Sequence, residues 1–282
     1  LQTYTQTTTI VKPMAAALDC QGSKISRVST SGVAFVMGTD NGTALIGNQG
    51  GTWNCKLNGA GGSISTNTDI AMYSGGDPAG IISPSTMYDG GDFTVNVEIK
   101  GFHTAYTYGN NTWQVKHYNP SIHGNYDGIV NVTGNTNSGE LMQVIGGSIY
   151  NNTGCGFRLN QYNDEWSMVG GALDYNGVGV CGAKPNIALY DVHQEQYNAP
   201  FVQPSGNLIS LRIYGGSIFA SSATGSENGW FDLSSATDNL HSIVDISGFQ
   251  LSSAHAIPYI VYYNNVGYGG KNCIRSIDWQ FS

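Results

Sequence analysis

The sequence predicts an all-β protein, a right-handed parallel β-helix whose coils each span about 21–24 residues. Three observations support this fold class. The 282 residues include 39 glycines but only 8 prolines. Short runs of β-branched and aromatic residues are separated by Gly and Asn, a pattern typical of many short strands joined by turns. Finally, one motif recurs at a nearly constant spacing, which indicates a solenoid.

The recurring motif is a Gly-Gly pair followed by alternating apolar residues. Gly171 follows Gly147 by 24 residues, Val192 takes the equivalent place 21 residues later, and Gly216 comes after a further 24. A looser unit places Gly248 another 32 residues along the chain. Such a unit buries its apolar side chains only by stacking on its neighbours, and glycine permits the tight bend between sheets. Leucine-rich repeats and propellers fit less well, because the leucine signature is missing and a blade needs about 40 residues or more.

We expect residues 1–282 to form one β-helix domain. Residues 1–93 repeat less regularly and are expected to form early, irregular coils. Residues 94–258 carry the main coils, and the aromatic segment 259–282 is expected to close the last coil.

The composition narrows the class of partner. Charged residues make up 11% of the chain and the net charge is −8, so the surface must consist mainly of neutral polar groups that suit sugar hydroxyls. An acidic chain without a basic stripe is a poor candidate for nucleic acid, and no apolar run is long enough for a transmembrane helix. No signal-peptide pattern follows Leu1, so we expect the chain to be a piece of something longer.

The cysteines and the few helix-like stretches make weaker predictions. An odd count of five, without CxxC spacing, argues against a full disulfide framework and against structural zinc, so most cysteines are expected to be buried free thiols. Helical periodicity is confined to Lys12–Leu18 and Ser234–Leu240. We expect no metal and no cofactor. Asn152 and Asn176, 24 residues apart, are expected to turn inward and hydrogen-bond along the stack.

The units GGSIYNNTGCGF and GGALDYNGVGV resemble the coils of bacteriophage tailspike depolymerases. The resemblance covers roughly Gly101 to Leu251 and is one of architecture and composition. It implies a homotrimer of β-helices in the phage tail, outside the cell, that cleaves bacterial capsule or O-antigen during adsorption. A secreted protein is the alternative location.

Aligning the coils places Glu195 on the position of Asp174, in a column that reads Tyr150, Asp174, Glu195 and Phe219. Strands of adjacent coils lie about 4.8 Å apart, and two carboxyls stacked at that spacing raise each other's proton affinity. Such a pair supplies the acid and the base that glycoside hydrolysis needs. Retaining enzymes hold the carboxyls about 5–5.5 Å apart and inverting enzymes about 6.5–9.5 Å apart, and the sequence does not choose between them. The alternative is two solvated acids on neighbouring exterior positions.

Further candidates surround this pair. Tyr150, Tyr175, Tyr197 and Phe219 could form a stacking platform for sugars. His193 should share the face of Glu195 because it lies two residues earlier in a strand, where it could assist the acid or bind a sugar hydroxyl; a structural role is the alternative.

A second acidic candidate is the loop Gln161–Trp166, in which Asp164 and Glu165 are flanked by aromatic residues and Trp166 could position a glycan. Arg158, Lys184 and Lys100 are candidates to contact an acidic sugar.

The leading functional hypothesis is an endo-acting glycoside hydrolase (a depolymerase) of bacterial surface polysaccharide. A polysaccharide lyase is the enzymatic alternative, although it would need a cation beside a uronate, and basic residues are few. A non-catalytic glycan-binding adhesin or receptor-binding fibre would use the same surface without cleavage.

Overall fold

The computed structural model of the chain describes the following residues: 2–13, 15–38, 50–77, 79–82, 87–135, 137–161, 165–197, 200–206, 210–222, 230–233, 243–253, 261–262, 273–277 and 280–281. Within these ranges the chain folds into short strands that form three long parallel sheets. The chain visits the three sheets in turn and returns to the first, so each circuit adds one strand to every sheet. This topology confirms the predicted parallel β-helix.

The strands of each sheet are given in the order in which they pair. Sheet 1 contains β1 (Thr3–Gln6), β4 (Lys24–Arg27), β7 (Lys56–Asn58), β11 (Glu98–Lys100), β15 (Ser121–His123), β18 (Ser148–Tyr150), β21 (Ala172–Asp174), β24 (His193–Tyr197), β27 (Ser217–Ser222), β30 (Gln250–Ser253) and β33 (Gln280–Phe281). Sheet 2 contains β2 (Ile10–Lys12), β5 (Ser31–Met37), β8 (Thr68–Ser74), β12 (Thr104–Tyr108), β16 (Asp127–Asn131), β19 (Cys155–Arg158), β22 (Val178–Gly182), β25 (Val202–Pro204), β28 (Phe231–Asp232) and β31 (Val261–Tyr262). Sheet 3 contains β3 (Leu18–Asp19), β6 (Gly51–Trp53), β10 (Phe93–Val95), β14 (Lys116–Tyr118), β17 (Met142–Ile145), β20 (Trp166–Val169), β23 (Asn186–Tyr190), β26 (Ser210–Tyr214), β29 (Ile243–Ser247) and β32 (Cys273–Ile277). A short pair joins β9 (Asp89–Gly90) to β13 (Thr112–Trp113).

The helix prediction for Lys12–Leu18 is wrong. Lys12 ends β2 and Leu18 begins β3, so the chain bends there between two sheets. The other stretch, Ser234–Leu240, lies outside the described residues.

The bend from sheet 3 to sheet 1 fixes the register of the coils. From the bend between β6 and β7 onward it contains a residue with positive φ, first asparagine and then mostly glycine: Asn54, Asn96, Asn119, Gly146, Gly170, Asp191, Gly215 and Gly248. The left-handed conformation favours these residue types, because glycine has no Cβ and Asn and Asp tolerate it better than other residues do. The repeating Gly-Gly signal in the sequence therefore marks a required backbone conformation.

The strand pairing confirms the predicted spacings of 24, 21 and 24 residues. The fifth unit is misplaced by one residue. Ser217 pairs with Gln250, and Tyr214 pairs with Ser247, so Gly248 is equivalent to Gly215 and not to Gly216.

After β1, in which Thr3, Tyr4 and Thr5 are all exposed, sheet 1 alternates between core and exterior. The middle residue of its short strands points inward, and this inner column is aliphatic except at one position: Ile25, Leu57, Ile99, Ile122, Ile149, Leu173, Gln194 and Ile218. The residues on either side of each middle residue point outward. Sheet 1 therefore presents two parallel columns of side chains on its outer surface.

Asn152 and Asn176 form the buried ladder that the sequence predicted. Asn125 donates a side-chain hydrogen bond to Asn152 Oδ1 at 3.1 Å, and Asn152 donates one to Asn176 Oδ1 at 2.9 Å. All three side chains are buried. The ladder satisfies polar groups at the bend that follows sheet 1.

The interpretation of the cysteines as mostly free thiols is wrong for four of them. Cys20 is bonded to Cys55 and Cys155 to Cys181, at sequence separations of 35 and 26 residues. Each bond joins segments that are distant in sequence but adjacent in the stack, where coil stacking brings the thiols together without any CxxC motif. Of Cys273, only its place at the start of β32 is described.

The interior near the first coils holds a polar network. The Lys12 ammonium lies 2.9 Å from an Asp92 carboxylate oxygen, and both side chains are almost fully buried. Asp89 is fully buried nearby. Burial raises the pKa of Asp89 to about 6 and that of Asp92 to about 8, and Lys12 acts against both shifts. One carboxyl balances Lys12, and the other therefore tends to hold its proton.

The same interior contains a buried imidazole. His117 Nδ1 lies 2.8 Å from Thr94 Oγ1, and His117 Nε2 hydrogen-bonds with the Tyr108 hydroxyl. Burial lowers the pKa of His117 to about 3. The ring is therefore neutral at physiological pH.

Candidate functional site

The outer surface of sheet 1, called here the acid face, carries the predicted carboxyl pair. Its first outer column contains Lys24, Lys56, Glu98, Ser121, Ser148, Ala172, His193 and Ser217. Its second outer column contains Asn58, Lys100, His123, Tyr150, Asp174, Glu195 and Phe219. The predicted alignment of Tyr150, Asp174, Glu195 and Phe219 is thus the observed register.

Asp174 and Glu195 occupy directly paired positions on β21 and β24. The Glu195 backbone N–H donates a 2.8 Å hydrogen bond to Asp174 Oδ1, which fixes the Asp174 carboxyl against the next coil. The two side chains are 16% and 20% exposed. They are partly shielded but reachable by a ligand lying on the face.

Burial raises the pKa of Asp174 to about 6, and the Glu195 carboxylate acts in the same direction. His193 and the Glu195 N–H act against this shift. A carboxyl that holds its proton toward neutral pH can act as a general acid beside an ionised partner.

His193 lies beside both carboxyls, as its strand position predicted. Its Nε2 atom is 4.0 Å from Asp174 Oδ1 and 3.8 Å from Glu195 Oε2. Its Nδ1 atom hydrogen-bonds with Ser217 Oγ at 2.7 Å, which orients the ring. At 45% exposure, the imidazole is open to solvent and to ligand.

The structure places the three tyrosine candidates differently: Tyr150 on the acid face, Tyr175 at the bend that follows it, and Tyr197 at the end of β24. Tyr150 stacks on His123 with ring centroids 4.7 Å apart, and both residues belong to the second outer column. Tyr175 follows Asp174 at the next bend with φ +52°, and its N–H donates to the Glu195 carbonyl. Tyr197 ends β24, and its side chain lies outside the described residues.

The expectation that Trp166 positions a glycan does not fit its placement. Trp166 is 2% exposed, packs against Tyr108 and Phe157, and donates its indole N–H to Asn131 Oδ1 at 3.3 Å. It is a core residue because it begins β20 on the inward side of sheet 3.

Two other charged candidates, Glu165 and Arg158, lie away from the acid face. Glu165 is exposed and directly precedes β20 of sheet 3, so it does not belong to the acid face. Asp164 lies outside the described residues. Arg158, on sheet 2, donates two hydrogen bonds to Asp127 at 2.7 and 2.9 Å, so that cation is already paired.

Sequence reasoning missed a basic cluster on the acid face itself. Lys56, Lys100 and His123 all approach the Glu98 carboxylate. Only Lys100 was singled out from the sequence, without partners. The coil spacing that aligned Asp174 with Glu195 would have found the cluster if it had been extended to the irregular early coils.

Three surface depressions lie elsewhere. One of about 660 Å³ on sheet 3 is lined by Phe93, Lys116, Tyr118 and Gln143 among others. Another of about 480 Å³ lies beside Arg158 on sheet 2, and a third of about 350 Å³ borders Lys56 and Glu98. We place the candidate chemistry at the acid pair despite its open setting, because a long polymer can bind along an exposed strand face without a deep cavity.

No protein-family model matches the chain, and a comparison with curated proteins finds no match. Within the described ranges, no helix is long and apolar enough to cross a membrane. In the same part of the chain, no group of three or more His, Cys, Asp or Glu side chains is arranged to hold a metal ion.

Proposed function

We propose that the chain is an endo-acting glycoside hydrolase that cleaves a bacterial surface polysaccharide, either capsule or O-antigen. The observation that carries the proposal is the in-register pair of Asp174 and Glu195 on the acid face. Asp174 has a pKa raised to about 6, the direction a general acid requires.

In this mechanism the Asp174 carboxyl donates its proton to the glycosidic oxygen as the bond to the anomeric carbon breaks. Glu195 has one of two roles. It bonds to the anomeric carbon, and a water that gives its proton to the Asp174 carboxylate then breaks that bond; or it takes a proton from a water that attacks the anomeric carbon directly. In both cases one water is consumed for each linkage broken. His193, within 4.0 Å of both carboxyls, is placed to stabilise their charges or to bind a sugar hydroxyl.

The surroundings of the pair suit a saccharide chain. Tyr150 and Phe219 flank the acids along the second outer column, and the stacked His123 extends the aromatic surface. Aromatic faces stack on the apolar sides of sugar rings, while Ser217 and neighbouring hydroxyls supply neutral hydrogen bonds.

Glycan binding without cleavage is the second candidate. It is favoured by the depression of about 660 Å³ on sheet 3, where Phe93 and Tyr118 lie beside Lys116 and two glutamines and, among the described residues, no carboxyl lines the surface. An adhesin or receptor-binding fibre would use such a surface.

The biological setting is proposed from the resemblance to tailspikes. It comprises a place in a phage tail and assembly as a homotrimer. Sedimentation equilibrium of the purified chain tests the assembly: a mass of three chains supports it, and a monomer at all concentrations contradicts it.

The function is tested by incubating the chain with capsular and O-antigen polysaccharides from a panel of bacterial strains, followed by mass spectrometry. Saturated oligosaccharides of repeating-unit size, each carrying one added water, would support the hydrolase. Unsaturated products lacking that water would indicate a lyase, and binding without fragments would indicate an adhesin.

A further inference from the structure

The end of the acid face nearer the N-terminus is basic, although the chain as a whole carries a net charge of −8. Lys24 pairs in register with Lys56, and Glu98 is next in the same outer column. Lys100 and His123 lie in the neighbouring column on the same strands and the next coil. Three lysines thus share a small surface in a chain that has only 11 Lys and Arg residues.

The Glu98 carboxylate contacts three of these side chains, but its single negative charge does not neutralise the lysines. Its carboxylate lies 3.0 Å from Lys100 Nζ, 3.7 Å from Lys56 Nζ and 3.4 Å from His123 Nε2. Lys56 and Lys100 stay 49% and 43% exposed, while Glu98 is 24% exposed. One carboxylate between two lysines leaves positive charge facing outward.

A depression of about 350 Å³ adjoins Lys56 and Glu98, and its opposite side is a ladder of exposed amides. Asn96 donates to Asn54 Oδ1 at 3.3 Å, and Asn119 donates to Asn96 Oδ1 at 2.9 Å. Each amide has two N–H donors and an oxygen that accepts more than one bond, so the ladder keeps free capacity toward solvent. The depression therefore offers the Lys56 cation and neutral hydrogen-bonding groups beside the Glu98 carboxylate, which Lys100 also approaches. Its volume lies within the size range of ligand pockets of about 300–1,000 Å³.

A continuous surface connects this depression with the acid pair. His123 and Tyr150 follow Lys100 in the second outer column, and their rings are stacked. Beside them the first outer column holds only the small residues Ser121, Ser148 and Ala172. Three strand spacings, about 14 Å, separate Lys100 from Asp174 along the stack.

We propose that the depression beside Lys56, together with Lys100, which approaches the same Glu98 carboxylate, binds the carboxylate of an acidic sugar, and that this sugar belongs to the polysaccharide whose linkage lies at Asp174 and Glu195. The second part rests on the proposed function, and the first does not. The substrate class is then a polysaccharide that contains a uronic acid or another carboxylated sugar. The acidic sugar is bound several coils away from the glycosidic bond that breaks.

The test uses uronic-acid-containing bacterial polysaccharides, each in its native form and after chemical reduction of its carboxylates to alcohols. Affinity electrophoresis measures binding, and reducing-end release measures cleavage. The variant is Lys56→Gln with Lys100→Gln, and the control is Arg212→Gln, which removes a cation from sheet 3 away from all three depressions. Because both target lysines are half exposed, the substitutions leave the core intact, and a Lys56→Arg with Lys100→Arg variant tests whether charge alone restores binding.

We expect the double glutamine variant to bind the native polymer about tenfold more weakly, or about 1.4 kcal/mol, while the control binds normally. The wild-type chain should lose a similar factor on the reduced polymer, and the double variant should lose nothing further. The arginine variant should bind close to the wild type.

Two failures are distinguishable. Charge-dependent binding of the native polymer without any cleavage would overturn the proposed hydrolase and leave the acidic-sugar site standing. Equal binding of native and reduced polymers, or a double variant no weaker than the control, would overturn the acidic-sugar site whether or not the polymer is cleaved.

Discussion

Gln194 lies directly beneath the acid pair and interrupts the aliphatic inner column of sheet 1. It pairs with Leu173 on one side and Ile218 on the other, and its side chain is fully buried. Neither of its amide atoms meets a hydrogen-bonding partner among the described residues. A buried amide without partners is destabilising, so this position opposes the stability of the coil that carries Glu195.

We predict that Gln194→Leu raises the free energy of unfolding by about 1–3 kcal/mol, because it removes an unsatisfied amide and continues the aliphatic column. Urea unfolding followed by circular dichroism measures the change. A loss of stability would show instead that the amide holds an internal water or another partner. Cleavage should persist, because residue 194 points inward while residue 195 points outward.

The raised pKa of Asp174 predicts the pH dependence of cleavage. As a general acid, Asp174 acts in its protonated form, so the rate should fall as the pH rises through about 6. Cleavage rates on a single polymer, measured across a pH series, test this fall in rate. A rate that is constant from pH 5 to pH 8 would contradict the assignment of Asp174 as the acid.

At the scale of strands and coils, the disulfides cross-link the stack. Cys155 and Cys181 join the neighbouring strands β19 and β22, closing a segment of 26 residues. We predict that Cys155→Ser with Cys181→Ser lowers the free energy of unfolding by about 3 kcal/mol, mainly through the greater freedom of the unfolded chain. A reductant should destabilise the wild type more than this variant. Equal stability with and without reductant in the wild type would mean that the thiols are free.

The interior network around Lys12 predicts a stability that depends on pH. A carboxyl whose pKa is raised in the folded state binds more protons folded than unfolded, so its contribution to stability is lost as the pH rises through that raised pKa. With Asp89 at about 6 and Asp92 at about 8, the wild type should become less stable between pH 5 and pH 8, a window in which both carboxyls ionise in the folded state. His117, with its pKa at about 3, contributes an opposite slope only below pH 6.5, where the two carboxyls act against it.

Asp89→Asn removes one titrating carboxyl and leaves the Lys12–Asp92 pair in place. We predict that this variant is more stable than the wild type at pH 8 by about 2–3 kcal/mol and shows a flatter pH dependence. Thermal unfolding at the two pH values measures the difference. A wild type that gains stability toward pH 8 relative to the variant would contradict the raised pKa values of the two carboxyls.

The coils were predictable where one residue type enforces one conformation. Gly146 and Gly170 mark the same positive-φ bend, so aligning the glycines aligned the strands and placed Glu195 on Asp174. The prediction slipped by one residue at Gly248, because a single glycine does not show which member of the pair it replaces. The sequence pattern showed no regular repeat over the early coils, because there Asn54 and Asn96 occupy the bend that glycine occupies in the later coils.

For the whole molecule, side-chain direction was the least predictable property. Trp166 and Tyr150 are both aromatic strand residues, yet one is in the core and the other on the acid face. The difference depends on which position of the strand points inward, and the sequence pattern alone left that open. Contacts between distant coils, such as Arg158 with Asp127 and Lys12 with Asp92, depend on the stacking of the full solenoid.

Taken at this scale, the acid face is a long strand surface with a basic end, an aromatic middle and a carboxyl pair. The order of these groups gives a bound polymer a defined direction along the stack. Our central claim is that Asp174 and Glu195 break a glycosidic linkage of that polymer.

The most direct test compares Asp174→Asn and Glu195→Gln with the wild type on a polysaccharide that the wild type cleaves. The matched control is Asp191→Asn, an exposed bend acid on the same coil whose positive φ asparagine tolerates. We predict that each of the two variants loses at least about a hundredfold in cleavage rate while still binding the polymer, and that the control cleaves normally. Cleavage at the wild-type rate by either variant would contradict the claim.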